Sequence, residues 1–175
     1  MFIKKNAHLR NIKRIRIPED RDLENGLRLN RNEKVENWGS EIVRDIFNNK
    51  PNWFLSTYPD PTNLYEKLSK HIGVDESKIM LTSGMDGGIK TLYEIMTDHG
   101  DRVGVPGPTY AMYYVYNNLF QTNLTEIQYS PETLKLDWKQ LNDFIDSEPV
   151  MLFLPNPNQP VEDALSKDQM AEIAE

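Results

Sequence analysis

The stretch Leu81-Thr82-Ser83-Gly84-Met85-Asp86-Gly87-Gly88-Ile89-Lys90 places a turn of Ser and Gly between a short apolar segment and an amphipathic helix. We predict a strand over residues 79–81 and a helix over residues 86–97, whose apolar side chains recur at helical spacing. A glycine lets the backbone come close to a ligand, and the N–H groups at a helix start attract anions. The stretch therefore predicts a phosphate site, without saying which phosphate it holds.

Apolar segments and helical patterns alternate along the rest of the chain. Further strands are predicted at residues 103–105, 124–128 and 150–154, and further helices at 36–48, 62–72, 109–120, 137–145 and from Ser166 onward. Strands that alternate with helices predict an α/β fold of three αβα layers around a mainly parallel sheet. The last helix has no stop signal, so we expect the sheet to be incomplete.

Composition excludes several classes of protein. The chain has 175 residues, 38% of them hydrophobic, and no run of apolar residues approaches the roughly 20 that a membrane span needs. Cysteine is absent and the three histidines are scattered, so we expect no disulfide, no metal site and a cytoplasmic location. Residues 1–16 are basic, but the net charge of −7 disfavours nucleic acid as a partner. We interpret residues 1–35 as a surface arm.

Three strand-to-helix loops carry unusual residues. They are the turn at residues 83–88, the segment at 105–110 with Tyr110, and the proline-rich segment at 154–160. In parallel sheets such loops meet at the carboxyl ends of the strands. Together they offer an anion cradle, a flat aromatic ring and amide side chains, which suit a phosphorylated aromatic cofactor. The chain lacks the G-x-G-x-x-G and P-loop motifs, which disfavours dinucleotide and nucleoside-triphosphate sites.

These motifs resemble those of the pyridoxal-phosphate-dependent aminotransferases of class I and II, and within them the histidinol-phosphate aminotransferase group. The resemblance runs from about residue 27 to the end of the chain. It is carried by Asn30-Arg31-Asn32-Glu33, Tyr58-Pro59-Asp60, the stretch from Thr82 to Lys90, Gly100-Asp101-Arg102-Val103-Gly104-Val105-Pro106-Gly107-Pro108-Thr109-Tyr110 and Pro155-Asn156-Pro157-Asn158-Gln159-Pro160.

The resemblance implies a cofactor, pyridoxal 5'-phosphate, and a role for several residues. Gly84, Met85 and Asp86 are expected to bind the cofactor phosphate. Tyr110 is expected to stack on the pyridine ring. Tyr58 is expected to reach the cofactor phosphate of a neighbouring subunit, which makes the protein a homodimer.

Other implied roles meet departures from the family pattern. The residue before Pro160 is expected to bond the phenolic oxygen of the cofactor, but it is Gln159 instead of the usual Asn, and Asn158 is the alternative donor. The usual Thr-Gly after that proline is replaced by Val161-Glu162. Asn32 is expected near the substrate entrance.

The catalytic groups are not expected in this chain. The resemblance places the Schiff-base lysine beyond Glu175, together with the Asp and Arg that serve the ring nitrogen and the substrate carboxylate. It also pairs residues 79–81 with a strand contributed later. Residues 1–50 would then form the arm and part of the small domain, and residues 51–175 the first half of the large domain.

The intact protein is expected to transfer an amino group between an amino acid or amino-alcohol phosphate and a 2-oxo acid, in amino-acid biosynthesis. A non-catalytic binding or interaction module of the same family is the alternative.

Overall fold

The computed structural model describes Leu9, Ile12 and residues 38–174. The described residues fall into two compact units: a helical unit of residues 38–80, and a sheet unit of residues 81–174 with Leu9 and Ile12. Apart from Leu9 and Ile12, the predicted arm of residues 1–35 lies outside the described residues. The division of the chain at residue 50 stays a prediction.

The helical unit consists of two helices and one short turn of 3-10 helix. Helix α1 runs over Trp38–Asn48, α2 over Thr62–Ile72 and the 3-10 turn over Glu76–Lys78. Gly73 ends α2 with a left-handed φ of 71°, and its N–H is donated to the carbonyl of Ser69. A glycine adopts this conformation without steric cost, so the predicted end of α2 is confirmed.

The sheet unit alternates helices and strands as predicted. Its elements are α3 (Gly84–Met96), β1 (Arg102–Gly107), α4 (Met112–Phe120), β2 (Asn123–Gln128), α5 (Trp138–Asp146), β3 (Met151–Leu152) and α6 (Lys167–Ala174). The strands lie in the order β2-β1-β3, and both pairings are parallel. The predicted parallel sheet is therefore confirmed, with β1 at its centre.

Two apolar clusters cover the two faces of this sheet. On one face, Val103 and Val105 pack with residues of α3 and α4, among them the fully buried Tyr93. On the other face, Leu141 and Phe144 of α5 pack with residues of β2 and its following loop. Alternate residues of a strand point to opposite faces, so Val103 and Val105 face the first cluster and Gly104, between them, faces the second. The result is the predicted three-layer αβα arrangement.

Several predicted elements differ from those of the structure; α3, for example, begins at Gly84 instead of Asp86, and β1 ends at Gly107 instead of Val105. Residues 79–81 belong to no strand, although Ile79 has an extended backbone, because a strand exists only with a hydrogen-bonded neighbour. Strand β3 is shorter than the predicted residues 150–154. In the described sheet it lies at an edge and pairs only with β1, and Pro155 soon follows. Helix α4 begins at Met112 instead of Thr109, because the Thr109 side chain bonds elsewhere.

No helix among the described residues is both long enough and apolar enough to cross a membrane.

Candidate functional site

The first turn of α3 presents backbone N–H groups that no capping side chain occupies. Gly84 has a left-handed φ of 69°, and a Cβ atom built there would meet nothing within 4 Å. Ser83 at the N-cap makes no capping hydrogen bond with its side chain. The first N–H groups of a helix have no partner within it, so those of Met85 and Asp86 are available to an anion. The Met85 side chain is 62% exposed, and it leaves this end of the helix open.

Tyr110 lies beside this turn. Its phenolic hydroxyl donates a hydrogen bond to Oδ1 of Asp86 over 2.8 Å. The ring also contacts Tyr113 edge to face, with 6.5 Å between centroids, and it is 38% exposed. The structure therefore brings together the predicted phosphate turn and the predicted stacking ring. Asp86 can offer its N–H to an anion while its carboxylate is engaged by Tyr110.

Asn158 is placed differently from Gln159, although both are predicted amide donors. The Asn158 side chain is only 1% exposed, and its amide is fully hydrogen-bonded. Its Oδ1 accepts from Thr109 Oγ1 over 2.7 Å, and its Nδ2 donates to the Pro108 carbonyl and to Tyr129 Oη, each over 3.0 Å. Gln159 is exposed and makes no side-chain hydrogen bond to any other residue that the structure describes.

The loop that carries these amides is braced at its base. Asn156 bonds the backbone of Leu165 in both directions, donating from Nδ2 over 3.1 Å and accepting at Oδ1 over 2.8 Å. Further up the loop, the N–H of Asn158 is donated to the carbonyl of Asp163 over 3.3 Å. Glu162 has a left-handed φ of 60°. The loop is thus closed on itself, with Gln159 on its exposed part.

The sequence did not point to Tyr114, Glu126 or Tyr129. Tyr114 donates a hydrogen bond to Glu126, whose other oxygen accepts from Gln128 Nε2 over 2.9 Å. Burial raises the pKa of Tyr114, and its bond to Glu126 raises it further. Burial also raises the pKa of Tyr129, while the N–H of Asn158 lowers it. The sequence offers one signal for Tyr129, which directly follows the predicted strand at residues 124–128.

Two predicted site residues remain, Tyr58 and Asn32. Tyr58 belongs to the helical unit, and its side chain is 100% exposed. Asn32 lies outside the described residues. Within the part of the chain that the structure describes, no group of three or more His, Cys, Asp or Glu side chains could hold a metal ion.

Residues 24–175 match the family model described as "Aminotransferase class I and II". The chain is similar to histidinol-phosphate aminotransferase of Methanococcus aeolicus, with 30% identity over 142 residues, which is 78% of this chain and 38% of that protein. It is also similar to the enzyme of that name from Clostridium novyi, with 28% identity over 85% of this chain and 42% of that protein. The chain thus spans about two fifths of the length of these relatives.

Solved structures share the fold. The crystal structure of histidinol-phosphate aminotransferase from Sinorhizobium meliloti, in complex with pyridoxal-5'-phosphate, superposes with a TM-score of 0.62 at 17% identity, over 77% of this chain and 34% of that one. Cystalysin from Treponema denticola, which contains a pyridoxal 5'-phosphate cofactor, gives a TM-score of 0.65 at 19% identity, over 77% of this chain and 36% of that one.

Proposed function

This chain belongs to the class I and II aminotransferases, and we propose that it supplies the phosphate cradle and the ring-stacking side of a pyridoxal-phosphate site in a transaminase. The whole protein would transfer an amino group between an amino acid or amino-alcohol phosphate, of the histidinol-phosphate kind, and a 2-oxo acid. The relatives that carry the name histidinol-phosphate aminotransferase support this substrate class.

One observation carries the proposal: the hydrogen bond between Tyr110 and Asp86. It places an aromatic ring next to the uncapped start of α3. Both features suit a phosphorylated pyridine. Backbone N–H groups at a helix start can bind its phosphate, and an aromatic side chain can stack on its flat ring. The open space at Gly84 leaves room for the phosphate oxygens to approach the backbone.

Each residue of the site then has a defined task. Gly84 shapes the turn and donates its own N–H to the Thr82 carbonyl over 2.8 Å, so the N–H groups of Met85 and Asp86 hold the phosphate. Tyr110 covers one face of the ring. Gln159 donates its side-chain amide to the phenolic oxygen, since it is exposed while the amide of Asn158 is engaged inside the protein. When bound, pyridoxal phosphate supplies the electron sink that amino-group transfer needs.

Other groups complete the proposed site from elsewhere. The lysine that binds the cofactor and moves the proton is expected beyond Glu175. The fully exposed Tyr58 would reach the phosphate bound by a second copy of this chain, so that a homodimer is the working form. Asn32 would lie near the substrate. A biosynthetic role in the cytoplasm fits these assignments, as does the proposed division into residues 1–50 and 51–175.

A non-catalytic module is the second candidate, and one observation speaks for it. Val161 and Glu162 stand where the family usually has Thr-Gly, and Glu162 adopts a left-handed φ of 60°. A side chain in this conformation costs about 1–2 kcal/mol, which relaxed selection would tolerate. The loop nevertheless keeps a glycine-like backbone at this position, and we therefore retain the transaminase as the main proposal.

Purified whole protein should test the two candidates. Titration with pyridoxal phosphate, followed by absorbance and by turnover with histidinol phosphate and a 2-oxo acid, should give a bound cofactor and a product. A protein that binds the cofactor without turnover over a panel of amino donors would support the module. Absence of cofactor binding would overturn the proposed site as a whole.

A further inference from the structure

Asn158 is one of two buried polar residues in the described part of the chain, the other being Thr122. All the hydrogen-bonding groups of its amide side chain have partners: Oδ1 accepts once and Nδ2 donates twice. Each hydrogen bond of such an amide contributes modestly to stability, whereas a buried group left without its partner is costly. The geometry of this side chain is therefore tightly determined.

The partners of Asn158 come from different loops at the same edge of the sheet. Pro108 and Thr109 follow β1, Tyr129 follows β2, and Asn158 itself follows β3. One side chain thus joins the carboxyl ends of all three described strands. This is the edge at which ligands bind in parallel sheets.

The bond to Thr109 has a consequence for the next residue. Thr109 directly precedes Tyr110, and α4 begins only at Met112. The backbone at Tyr110 is therefore held from one side by Asn158 through Thr109, while its hydroxyl is held from the other side by Asp86. Removing either tie frees the ring to rotate or shift relative to α3.

We propose that Asn158 is a positioning residue, which sets the place of the Tyr110 ring over the phosphate turn and does not itself contact the cofactor. This inference rests on the proposed function, since it assigns Tyr110 to the cofactor ring. It predicts a specific pattern: loss of Asn158 weakens binding through the ring but leaves the phosphate cradle intact.

Asn156 offers a matched control in the same loop. Its side chain also makes hydrogen bonds, but only to the backbone of Leu165, and it has no bond to the loop after β1. Asn156→Ala therefore loosens the base of the loop without cutting the tie to Thr109. Thr109→Val removes the other end of that tie and preserves the size of the side chain.

The experiment compares pyridoxal phosphate with inorganic phosphate as ligands of the whole protein. We expect Asn158→Ala to raise the dissociation constant of pyridoxal phosphate about tenfold and Thr109→Val about threefold, while that of phosphate changes less than about twofold. The smaller factor reflects the one hydrogen bond that Thr109→Val removes, and the larger factor the three that Asn158→Ala removes. The double variant should bind no more weakly than Asn158→Ala, because both changes cut the same bond. Asn156→Ala should bind phosphate as the parent does and should lose less affinity for pyridoxal phosphate than Thr109→Val.

Two results would overturn the inference: unchanged pyridoxal-phosphate affinity in folded Asn158→Ala, or an equal loss in Asn156→Ala. If Asn158→Ala fails to fold, the dissociation constants of Thr109→Val for pyridoxal phosphate and phosphate test the inference alone. A parent protein that does not bind pyridoxal phosphate refutes the proposed function instead. In that case amide hydrogen exchange still tests the tie, because exchange at Tyr113, whose N–H bonds the Tyr110 carbonyl, should be faster in Thr109→Val than in Asn156→Ala. Equal exchange rates at Tyr113 in the two variants would refute the role of the Asn158–Thr109 bond in holding Tyr110.

Discussion

The hydroxyl of Tyr110 donates to Oδ1 of Asp86 over 2.8 Å, and this bond joins the loop after β1 to the first turn of α3. A carboxylate at the start of a helix interacts favourably with the helix dipole but would repel a phosphate bound there. Engagement by Tyr110 gives that carboxylate a partner and leaves the backbone N–H of the same residue to the anion. Under the proposed function, Asp86 would serve both the ring and the phosphate.

Tyr110→Phe should weaken binding of pyridoxal phosphate more than binding of inorganic phosphate. The ring stays, but it loses the bond that fixes it, and a bond of this kind contributes about 1 kcal/mol when partly exposed. We expect a rise of about fivefold in the dissociation constant. Tyr116→Phe is the control, since it removes a phenol from α4, the helix that follows Tyr110, where the Tyr116 ring packs against Tyr93. An equal loss in the control would contradict the assignment.

Gly84→Ala should reduce affinity for phosphate itself. The new Cβ meets no atom within 4 Å, so its effect is the strain of a left-handed φ, about 1–2 kcal/mol. Relief of that strain would turn the N–H groups away from the anion. Gly73→Ala carries the same strain, at φ 71° and with the same free space, but at the end of α2. Both variants should lose similar stability in urea, and only Gly84→Ala should lose phosphate binding by calorimetry.

Glu162→Gly should stabilise the protein by about 1 kcal/mol, because glycine adopts a φ of 60° without strain. The gain is smaller than the full strain, since glycine also raises the entropy of the unfolded chain. Glu148→Gly, at φ 53° in the loop after α5, should give a comparable gain. Urea midpoints measure both changes. A loss of stability in Glu162→Gly would mean that its side chain makes contacts that outweigh the strain.

Stability should fall as the pH rises above about 10, the ordinary pKa of tyrosine. Burial raises the pKa of Tyr93, Tyr113, Tyr114 and Tyr129 above that value in the folded protein. The folded state therefore holds these protons more tightly than the unfolded state. Their contribution is complete below the unfolded pKa and is lost as the pH rises through the folded one. Urea midpoints against pH should show this slope, and Tyr93→Phe should reduce it; an unaltered slope would refute Tyr93 as a source.

Gly104→Ala should destabilise the sheet unit by about 1–3 kcal/mol through overpacking. A Cβ at this position would lie 2.3 Å from Cε1 of Phe144, whose ring is 6% exposed and cannot swing aside. Phe144→Leu, made in the Gly104→Ala background, should recover part of the loss, since it vacates the overlapping volume. Strictly additive losses in a double-mutant cycle would show that the two residues do not collide.

Local patterns in the sequence predict the order of helices and strands from α1 to α6. The apolar spacing of α3 and the glycine after α2 are properties of neighbouring residues, and both were found as expected. The segment 79–81 was not a strand, because that status depends on a hydrogen-bonded neighbour, which a local pattern cannot reveal. The late start of α4 has the same origin. It depends on Thr109 bonding Asn158, 49 positions away.

The sequence identified the turn at Gly84 and Tyr110 as candidate site residues, but it did not predict the different placement of the two amides, Asn158 and Gln159. The turn at Gly84 and the aromatic at 110 were visible as motif residues next to strand ends. Asn158 and Gln159 could not be told apart, because two adjacent amides among prolines look alike in sequence. Burial distinguishes them, and it depends on how three loops fold over one another.

The central position of β1 has a consequence for synthesis of the protein. β1 precedes both β2 and β3 in the chain, yet it lies between them in the sheet. It is therefore synthesised before either partner. At roughly 5–20 residues per second, β3 follows after roughly 2–10 s, during which the sheet around Val103 and Val105 is not complete. The most buried strand of the finished unit is thus the one that waits longest for its second neighbour.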